Sequence, residues 1–111
     1  MGKGNYLGAF EQLVLFALIR LGDNAYGMKI RREIASRTDR DVSIGAVYAT
    51  LERLEEKGFV SSQDVRDGEE DRNGNARRFF HIEAPGIAAV EESWNALKAM
   101  TRGLKPLRGD A

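Results

Sequence analysis

The apolar residues in the first half of this chain recur every three or four positions, which is the spacing of one face of an α-helix. The first such segment runs from Leu7 to Leu21, and its recurring apolar positions are Phe10, Leu13, Val14, Ala17, Leu18 and Leu21. Leu15, Phe16 and Ile19 fill the opposite side as well. A helix that is apolar nearly all round must be covered nearly all round. We therefore expect the domain's own core to cover one side and a second subunit to cover the other.

Two further helices are predicted before the middle of the chain. One runs from about Ala25 to Arg37, with Asn24 as its cap and with apolar positions at Tyr26, Ile30 and Ile34. A polar turn, Thr38 to Val42, leads to a helix that Ser43 caps and that Gly58 ends after Lys57. A turn of ~100° per residue separates this third helix into two sides. The apolar side holds Ile44, Val47, Leu51 and Leu54, and the other holds Gly45, Ala46, Ala49 and Arg53.

The pattern then changes to that of strands. The segments Phe59 to Arg66 and Arg77 to Glu83 are separated by a polar stretch, 67–76, rich in Gly and Asn, which predicts a hairpin with a long loop. Pro85 suits the first turn of a last helix, which Gly103 and Pro106 end. Its apolar residues follow the spacing of a short coiled-coil seam and are Ile87, Val90, Trp94 and Leu97.

The predicted fold class is therefore mainly α with a small β-hairpin. Three helices followed by a hairpin are the order of a winged helix-turn-helix, in which the second helix of the motif enters the major groove of DNA. We assign residues 1–84 to the winged-helix domain, 85–104 to a C-terminal dimerisation helix of the same compact unit, and 105–111 to a flexible tail. Small residues at Gly45, Ala46 and Ala49 would let the helix backbone approach phosphates. Tight packing against another helix explains such residues equally well, and the hairpin downstream favours DNA.

Composition narrows the function classes. The 111 residues form one domain with a formal net charge of +0, which counts weakly against a nucleic-acid binder because local charge matters more than the sum. The absence of Cys excludes a disulfide framework and a thiolate metal site. His81, the single His, has no nucleophile beside it, and no phosphate loop or hydrolase motif occurs. We expect no enzyme, no cofactor and no metal, and, without a signal peptide or a membrane span, a cytoplasmic protein.

An ordered series of short motifs resembles the PadR family of bacterial transcriptional regulators and spans nearly the whole chain, from about Leu7 to Met100. The matching stretches are Leu7-Gly8, Leu15 to Leu21, Tyr26-Gly27, Ile30, Gly45-Ala46-Val47-Tyr48, Leu51, Arg53-Leu54-Glu55, Lys57-Gly58 and Arg77-Arg78-Phe79-Phe80. The single short final helix resembles the compact subfamily. Two positions depart from the family pattern: Phe80 replaces a Tyr, and Glu83 replaces a Thr before the last helix.

The resemblance implies a homodimer that binds a palindromic operator in double-stranded DNA, usually as a repressor. It also implies that Tyr48 contacts the DNA backbone, whereas helical spacing places Tyr48 at the border of the core, so that a packed ring with an outward hydroxyl satisfies both. Ser43, first of all a helix cap, would also touch a phosphate through its hydroxyl or its amide. Arg53, a cation on the open side of the third helix, would reach a phosphate or a base. Its alternative is a salt bridge to Glu52, Glu56 or Asp39.

Cations of the hairpin and of the second helix are further candidates for DNA contact. Arg72, Arg77 and Arg78 would lie along a phosphate ridge or the minor groove, flanked by Lys29 and Arg31. The hairpin also carries acidic residues that would repel DNA, namely Asp67, Glu69, Glu70 and Asp71. Together with the zero net charge they support one alternative from another class, a winged-helix module for protein–protein interaction without DNA binding.

Trp94 is the candidate for effector binding. In some short members of the family, paired Trp residues at the dimer centre bind flat aromatic drugs, and two Trp94 rings across a two-fold axis would stack on such an effector. Phe10, Val14 and Met100 would line the same space. The alternative, which we favour, is that Trp94 fills the dimer interface as Val90 and Leu97 do, and Lys98 one turn later disfavours cationic ligands.

Overall fold

Four α-helices and one antiparallel hairpin make up the part of the chain that the computed structural model describes, residues 7–70 and 76–105. In chain order the elements are α1 (Ala9–Leu21), a 3-10 turn (Gly22–Asn24), α2 (Gly27–Thr38), α3 (Ile44–Glu56), β1 (Val60–Glu70), β2 (Ala76–Ile82) and α4 (Ala84–Thr101). The predicted fold class and element order are confirmed. The tail after Lys105, including Pro106, lies outside the described residues.

The start of α3 follows the prediction, and the start of α2 does not. The Ser43 hydroxyl accepts a hydrogen bond from the Ala46 amide at 3.0 Å, which caps α3. Asn24 lies in the 3-10 turn instead, and the cap position of α2 is Tyr26, which has an extended backbone and no side-chain cap. The reason is tertiary: Tyr26 forms an isolated β-bridge with Phe79, which keeps the residues before Gly27 out of the helix.

The core lies between α1, α2 and α3 and is closed by the hairpin and by α4. Its largest fully buried side chains are Leu15, Leu18, Ile30, Leu51, Leu54, Val14, Val47 and Val90. Phe59 and Phe80 join it from the two strands. Each such side chain contributes roughly 1.5–3 kcal/mol on burial, so this cluster holds the three helices in a fixed arrangement.

The hairpin, called the wing below, is joined to the helices at both of its ends. Gly58 has φ +80°, a left-handed conformation that turns the chain out of α3, and the Phe59 amide then bonds the Leu54 carbonyl at 2.9 Å. On the other strand, the Phe80 amide donates to the Ala25 carbonyl at 2.8 Å. The base of the wing is therefore fixed to the residues that precede α2.

The first strand is longer than predicted, whereas the second has the predicted length and begins one residue earlier. Their register runs from Val60 opposite Ile82 to Val65 opposite Arg77, shifts, and resumes with Glu70 opposite Ala76. The prediction of a loop over 67–76 is therefore wrong at both ends, because β1 extends to Glu70 and β2 begins at Ala76, and residues 66–69 lie in the irregularity between two paired positions. A shift of this kind inserts extra residues into one strand and bends it.

The last helix packs on α1 with its first half and leaves the protomer with its second. Pro85 lies in its first turn, and the cap residue Glu83 gives no side-chain cap, as the loss of Thr at that position suggests. The Glu83 carboxylate accepts a hydrogen bond from Ser61 instead. The Trp94 ring meets Phe16 of α1 edge-on at 6.2 Å, and beyond that contact the apolar residues of α4 are exposed.

Candidate nucleic-acid interface

The first half of α3 presents a surface of small residues, Gly45, Ala46 and Ala49, which we call the bare face. All three residues are exposed. A Cβ added at Gly45 would meet no heavy atom of the described residues within 4 Å. Packing among the described residues therefore does not require a small residue at Gly45.

The same end of α3 carries backbone amides that have no hydrogen-bond partner among the described residues. The first amides of an α-helix have no carbonyl partner within the helix, and Ser43 satisfies only that of Ala46. The amides of Ile44 and Gly45 remain at the positive end of the helix dipole, beside the bare face. An anion such as a phosphate would be stabilised at this position.

Tyr48 lies at the crossing of α3 and α2. The residue is 43% exposed, and the centre of its ring is 6.4 Å from the centre of the Phe80 ring. A Cβ at Gly27 would overlap the phenol end of Tyr48, so Gly27 is small because this ring lies over it. The ring is packed at the border of the core as predicted, with its hydroxyl over the first turn of α2.

Arg53 continues the open side of α3 towards its C-terminal end. Its side chain is 56% exposed, and its Nη2 donates to the Thr50 hydroxyl at 3.2 Å. Its Nε lies 3.7 Å from a carboxylate oxygen of Glu11, on α1. The expected salt-bridge partners, Glu52, Glu56 and Asp39, were wrong, because the pairing carboxylate comes from a helix distant in sequence.

Glu11 is a buried carboxylate, 7% exposed, that the sequence analysis did not single out. It accepts a hydrogen bond from the Gly8 amide at 2.9 Å and from Lys57 Nζ at 3.1 and 3.3 Å. Burial by itself raises the pKa of this carboxyl, but the Gly8 amide and the charges of Lys57 and Arg53 outweigh it and lower the pKa below the usual value. Glu11 thus stays ionised and ties the start of α1 to the end of α3.

The cations of α2 and of the turn before α3 lie in the segments that precede the bare face along the chain. Arg31 Nε donates to the Val42 carbonyl at 2.8 Å, so this side chain holds the turn that leads into α3. Lys29 is partly buried on α2. Arg40 is exposed in the same turn. It was not among the predicted cations, since Asp39 and Asp41 on either side make the local charge of this turn negative.

Arg78, on the wing, makes contacts within the protomer. Its guanidinium donates to the Ser62 hydroxyl at 2.9 and 3.1 Å, and Ser62 in turn donates to Glu55 of α3 at 2.8 Å. Arg78 Nη2 also lies 3.5 Å from Glu55. This network braces the wing against α3, which leaves Arg78 half-exposed but engaged.

Arg77, the neighbour of Arg78 on β2, also makes a contact within the described part of the chain. The Arg77 guanidinium lies 4.2 Å from the centre of the Tyr26 ring, a cation–π contact that again joins the wing to the start of α2. Arg72 lies outside the described residues, as do the side chains of the acidic residues predicted to repel DNA. The described wing cations are thus oriented by contacts with helices.

The second half of α4 presents the opposite kind of surface. Its large exposed apolar side chains are Trp94, Leu97 and Met100, and together with Leu104, which follows the helix, we call them the apolar face. Of the residues predicted to line an interface with them, Phe10 is partly buried, whereas Val14 and Val90 are buried in the protomer's own core. The prediction that Val14 and Val90 line an interface is therefore wrong. Both are buried where the first half of α4 packs on α1.

Two further properties concern the described residues only. They contain no group of three or more His, Asp or Glu side chains placed to hold a metal ion, and His81 Nδ1 lies 3.9 Å from Asp23. Among their helices, none combines the length and the hydropathy that a membrane crossing requires.

Comparison with known proteins places the chain among transcriptional regulators. Residues 15–92 match the model of the transcriptional regulator PadR-like family. Transcriptional regulator Rv3488 of Mycobacterium tuberculosis is 38% identical over 90 residues, which cover 79% of this chain and 78% of that protein. The family match spans the bare face, the wing and the first half of α4.

Solved structures agree at the level of the fold. A PadR family transcription regulator from Clostridium difficile superposes with a TM-score of 0.66 at 23% identity, covering 85% of this chain and 95% of that one. F93 from STIV, a winged-helix DNA-binding protein, gives a TM-score of 0.65 at 20% identity, covering 88% and 97%. The fold is a winged helix, and the chain belongs to the PadR-like family of transcriptional regulators, whose members are regulators of transcription and not enzymes.

Proposed function

We propose that this regulator is a homodimeric, sequence-specific DNA-binding repressor in the cytoplasm, with α3 as the helix that enters the major groove. The observation that carries the proposal is the bare face: its small residues are exposed and serve no packing purpose at Gly45. The major groove is about as wide as a helix with its side chains, so a helix with small residues enters it most deeply. The winged-helix DNA-binding protein F93 shares this fold.

Each contact around the bare face has a role in this complex. The free amides at the start of α3 and the exposed Arg40 would meet phosphates, while Lys29 and Arg31 flank the groove. Arg53 would reach the backbone from the end of the same face. Arg77, oriented by Tyr26, would follow the adjacent phosphate ridge.

The dimer is proposed to form through the apolar face. Met100 is 77% exposed and Trp94 51%, and apolar side chains of this size in one stripe gain by being covered. A second copy provides an equally apolar and two-fold related surface. Two recognition helices would then address half-sites one helical turn apart, about 34–36 Å, which requires a palindromic operator.

A response to a planar aromatic effector is the second part of the proposal. Trp94 keeps half of its surface outside the Phe16 contact, so a ring-shaped ligand would have a face on which to stack. Quenching of Trp94 fluorescence by a panel of planar aromatic compounds tests this point. A panel without any response would leave Trp94 with the interface role alone.

The first experiment is a gel shift with the DNA immediately upstream of the protein's own coding region, with nonspecific competitor and at two salt concentrations. A shift that resists competitor and weakens as salt rises supports the proposal, because each phosphate contact contributes to the salt dependence. The alternative is a protein–protein interaction module, which the zero net charge and the internal engagement of Arg78 favour. Failure to bind any DNA at low salt would select that alternative.

A further inference from the structure

The carboxylate of Glu11 has three basic or amide donors around it, and they are not equally close. The Gly8 amide and Lys57 Nζ lie at hydrogen-bond distance, 2.9 and 3.1 Å. Arg53 Nε is 3.7 Å away, longer than a hydrogen bond but within the range of an ion pair. Glu11 is therefore already satisfied without Arg53.

The three donors also differ in their access to solvent. Glu11 is almost buried, and Lys57 is about one-third exposed, whereas Arg53 has more than half of its side chain in solvent. Arg53 lies on the open side of α3 that also carries the bare face. Arg53 is thus the most exposed and the most distant of the three donors, and so the one best placed to exchange the carboxylate for an anion outside the protein.

We propose that Glu11 is a positioning residue for DNA binding: it holds Arg53 as a counter-ion in the free protein and releases it to a DNA phosphate in the complex. This inference rests on the proposed function, and in it Glu11 is the residue that lowers the affinity for DNA. The exchange replaces one anion by another at the guanidinium, and Glu11 keeps Lys57 and the Gly8 amide. Because a partly exposed ion pair is weak, the release costs little.

The pairing of Arg53 with Glu11 should affect the affinity for all DNA sequences equally, because phosphates are common to all of them. In the free protein the positive charge of Arg53 is partly neutralised by Glu11, which lowers the attraction to phosphates in general. Removing the Glu11 charge should then raise the affinity for DNA, while the number of phosphates contacted in the complex stays the same. The affinity and its salt dependence should therefore respond differently to Glu11 and to Arg53.

The test is a double-mutant cycle of the unaltered protein, Glu11→Gln, Arg53→Ala and the double variant. The dissociation constant for the upstream DNA and for a scrambled duplex is measured over a series of salt concentrations. We expect Glu11→Gln to bind both duplexes about threefold more tightly, the size of a weak exposed ion pair, with an unchanged salt slope. Arg53→Ala should weaken binding and reduce the slope by about 0.9, the value for one phosphate.

The decisive comparison is the effect of Glu11→Gln in the absence of Arg53. We expect no change of affinity in that background. A gain that persists there would come from Lys57 or from net charge, and would overturn the inference, as would weaker binding by Glu11→Gln alone. Glu92→Gln on α4, an exposed residue remote from the bare face, makes the same change in net charge and should leave the dissociation constant unchanged.

A second measurement serves if Glu11→Gln does not fold, which thermal denaturation shows. The Nε–H resonance of Arg53 in the unaltered protein should shift when DNA is added, and a resonance that stays in place would refute the release of Arg53. Failure of the proposed function looks different: the unaltered protein would then bind neither duplex at low salt. Binding without coupling between Glu11 and Arg53 removes only the inference.

Discussion

The bare face of α3 and the apolar face of α4 are both exposed, yet they differ in every other respect. The first consists of Gly45, Ala46 and Ala49 at the N-terminal end of α3, and the second of Trp94 and three other large apolar side chains. Small residues bring a backbone close to a rigid polar partner, whereas large apolar ones gain only from an apolar partner. The chain thus exposes two surfaces of opposite chemistry.

The difference also explains why one domain needs both. The stripe of α4 that is buried at Val90 becomes exposed by Leu97, because the helix outruns the α1 surface that covers its first half. The bare face, in contrast, is exposed because α3 turns its apolar side, with Val47 and Leu51, into the core. The apolar face is the part of an apolar stripe that α1 does not cover, and the bare face is the side of α3 opposite its buried residues.

The largest expected effect comes from a carboxylate on the bare face. Ala49→Glu should weaken DNA binding about 100-fold, since a like charge facing phosphates costs several kcal/mol. The fold should be unaffected because Ala49 is exposed. Ala88→Glu, the same change on the exposed side of α4, is the control, and gel shifts with thermal denaturation measure both. Equal binding by the two variants would show that the bare face does not meet DNA.

The apolar face is tested by Trp94→Ala. Loss of a large interface side chain and of its edge-on contact with Phe16 should raise the dimer dissociation constant about thirtyfold, or about 2 kcal/mol. Sedimentation equilibrium measures this constant, with Asn95→Ala on the opposite side of α4 as the control. A Trp94→Ala protein that remains fully dimeric would mean that the interface lies elsewhere.

Two glycines near helix starts provide a matched pair of smaller effects. Gly27→Ala should lower the free energy of unfolding by about 1–3 kcal/mol, since the new methyl displaces Tyr48. Gly45→Ala meets open space and should be neutral or stabilising by up to about 1 kcal/mol, while it weakens DNA binding. Denaturant unfolding and gel shifts separate the two. A loss of stability in Gly45→Ala would contradict the open surface around that residue.

The smallest expected effect is the dependence of stability on acid. Because the pKa of Glu11 is lower in the folded protein than the usual 4.5, its ionised form adds stability at neutral pH. That contribution falls as the pH drops from about the usual value through the lowered folded pKa. Unfolding measured over this range should lose less stability in Glu11→Gln than in the unaltered protein, and identical acid limbs would argue against the Glu11 contacts.

Much of the fold was readable from the sequence because its signals are local. Helical spacing located α1, α3 and α4, Ser43 marked the start of α3, and Gly58 its end. The cap of α2 was misread because the Tyr26–Phe79 bridge is a contact between distant segments. The extension of the strands through polar residues likewise depends on backbone pairing, which leaves no side-chain pattern.

The sequence predicted which residues of the candidate site are exposed, but not which hydrogen bonds and ion pairs its side chains make. Spacing alone placed Gly45, Ala46 and Ala49 on one exposed side. The partners of Arg53 and Arg78 could not be found in that way, since Glu11 comes from another helix and the Glu55–Ser62–Arg78 network needs a folded hairpin. Val14 and Val90 were placed correctly on their stripes, but where a stripe passes from core to surface depends on the length of the helix beneath it.

The hydrogen bond between the Phe80 amide and the Ala25 carbonyl has a consequence for folding. It joins chain segments separated by two helices and a strand, so it cannot form until the entropy of closing that long loop has been lost. The helices, whose contacts are local, should therefore assemble first and the wing dock last. In hydrogen exchange, the Phe80 amide would then report the completed domain, and its protection would vanish in any variant whose wing has come away from a still-helical body.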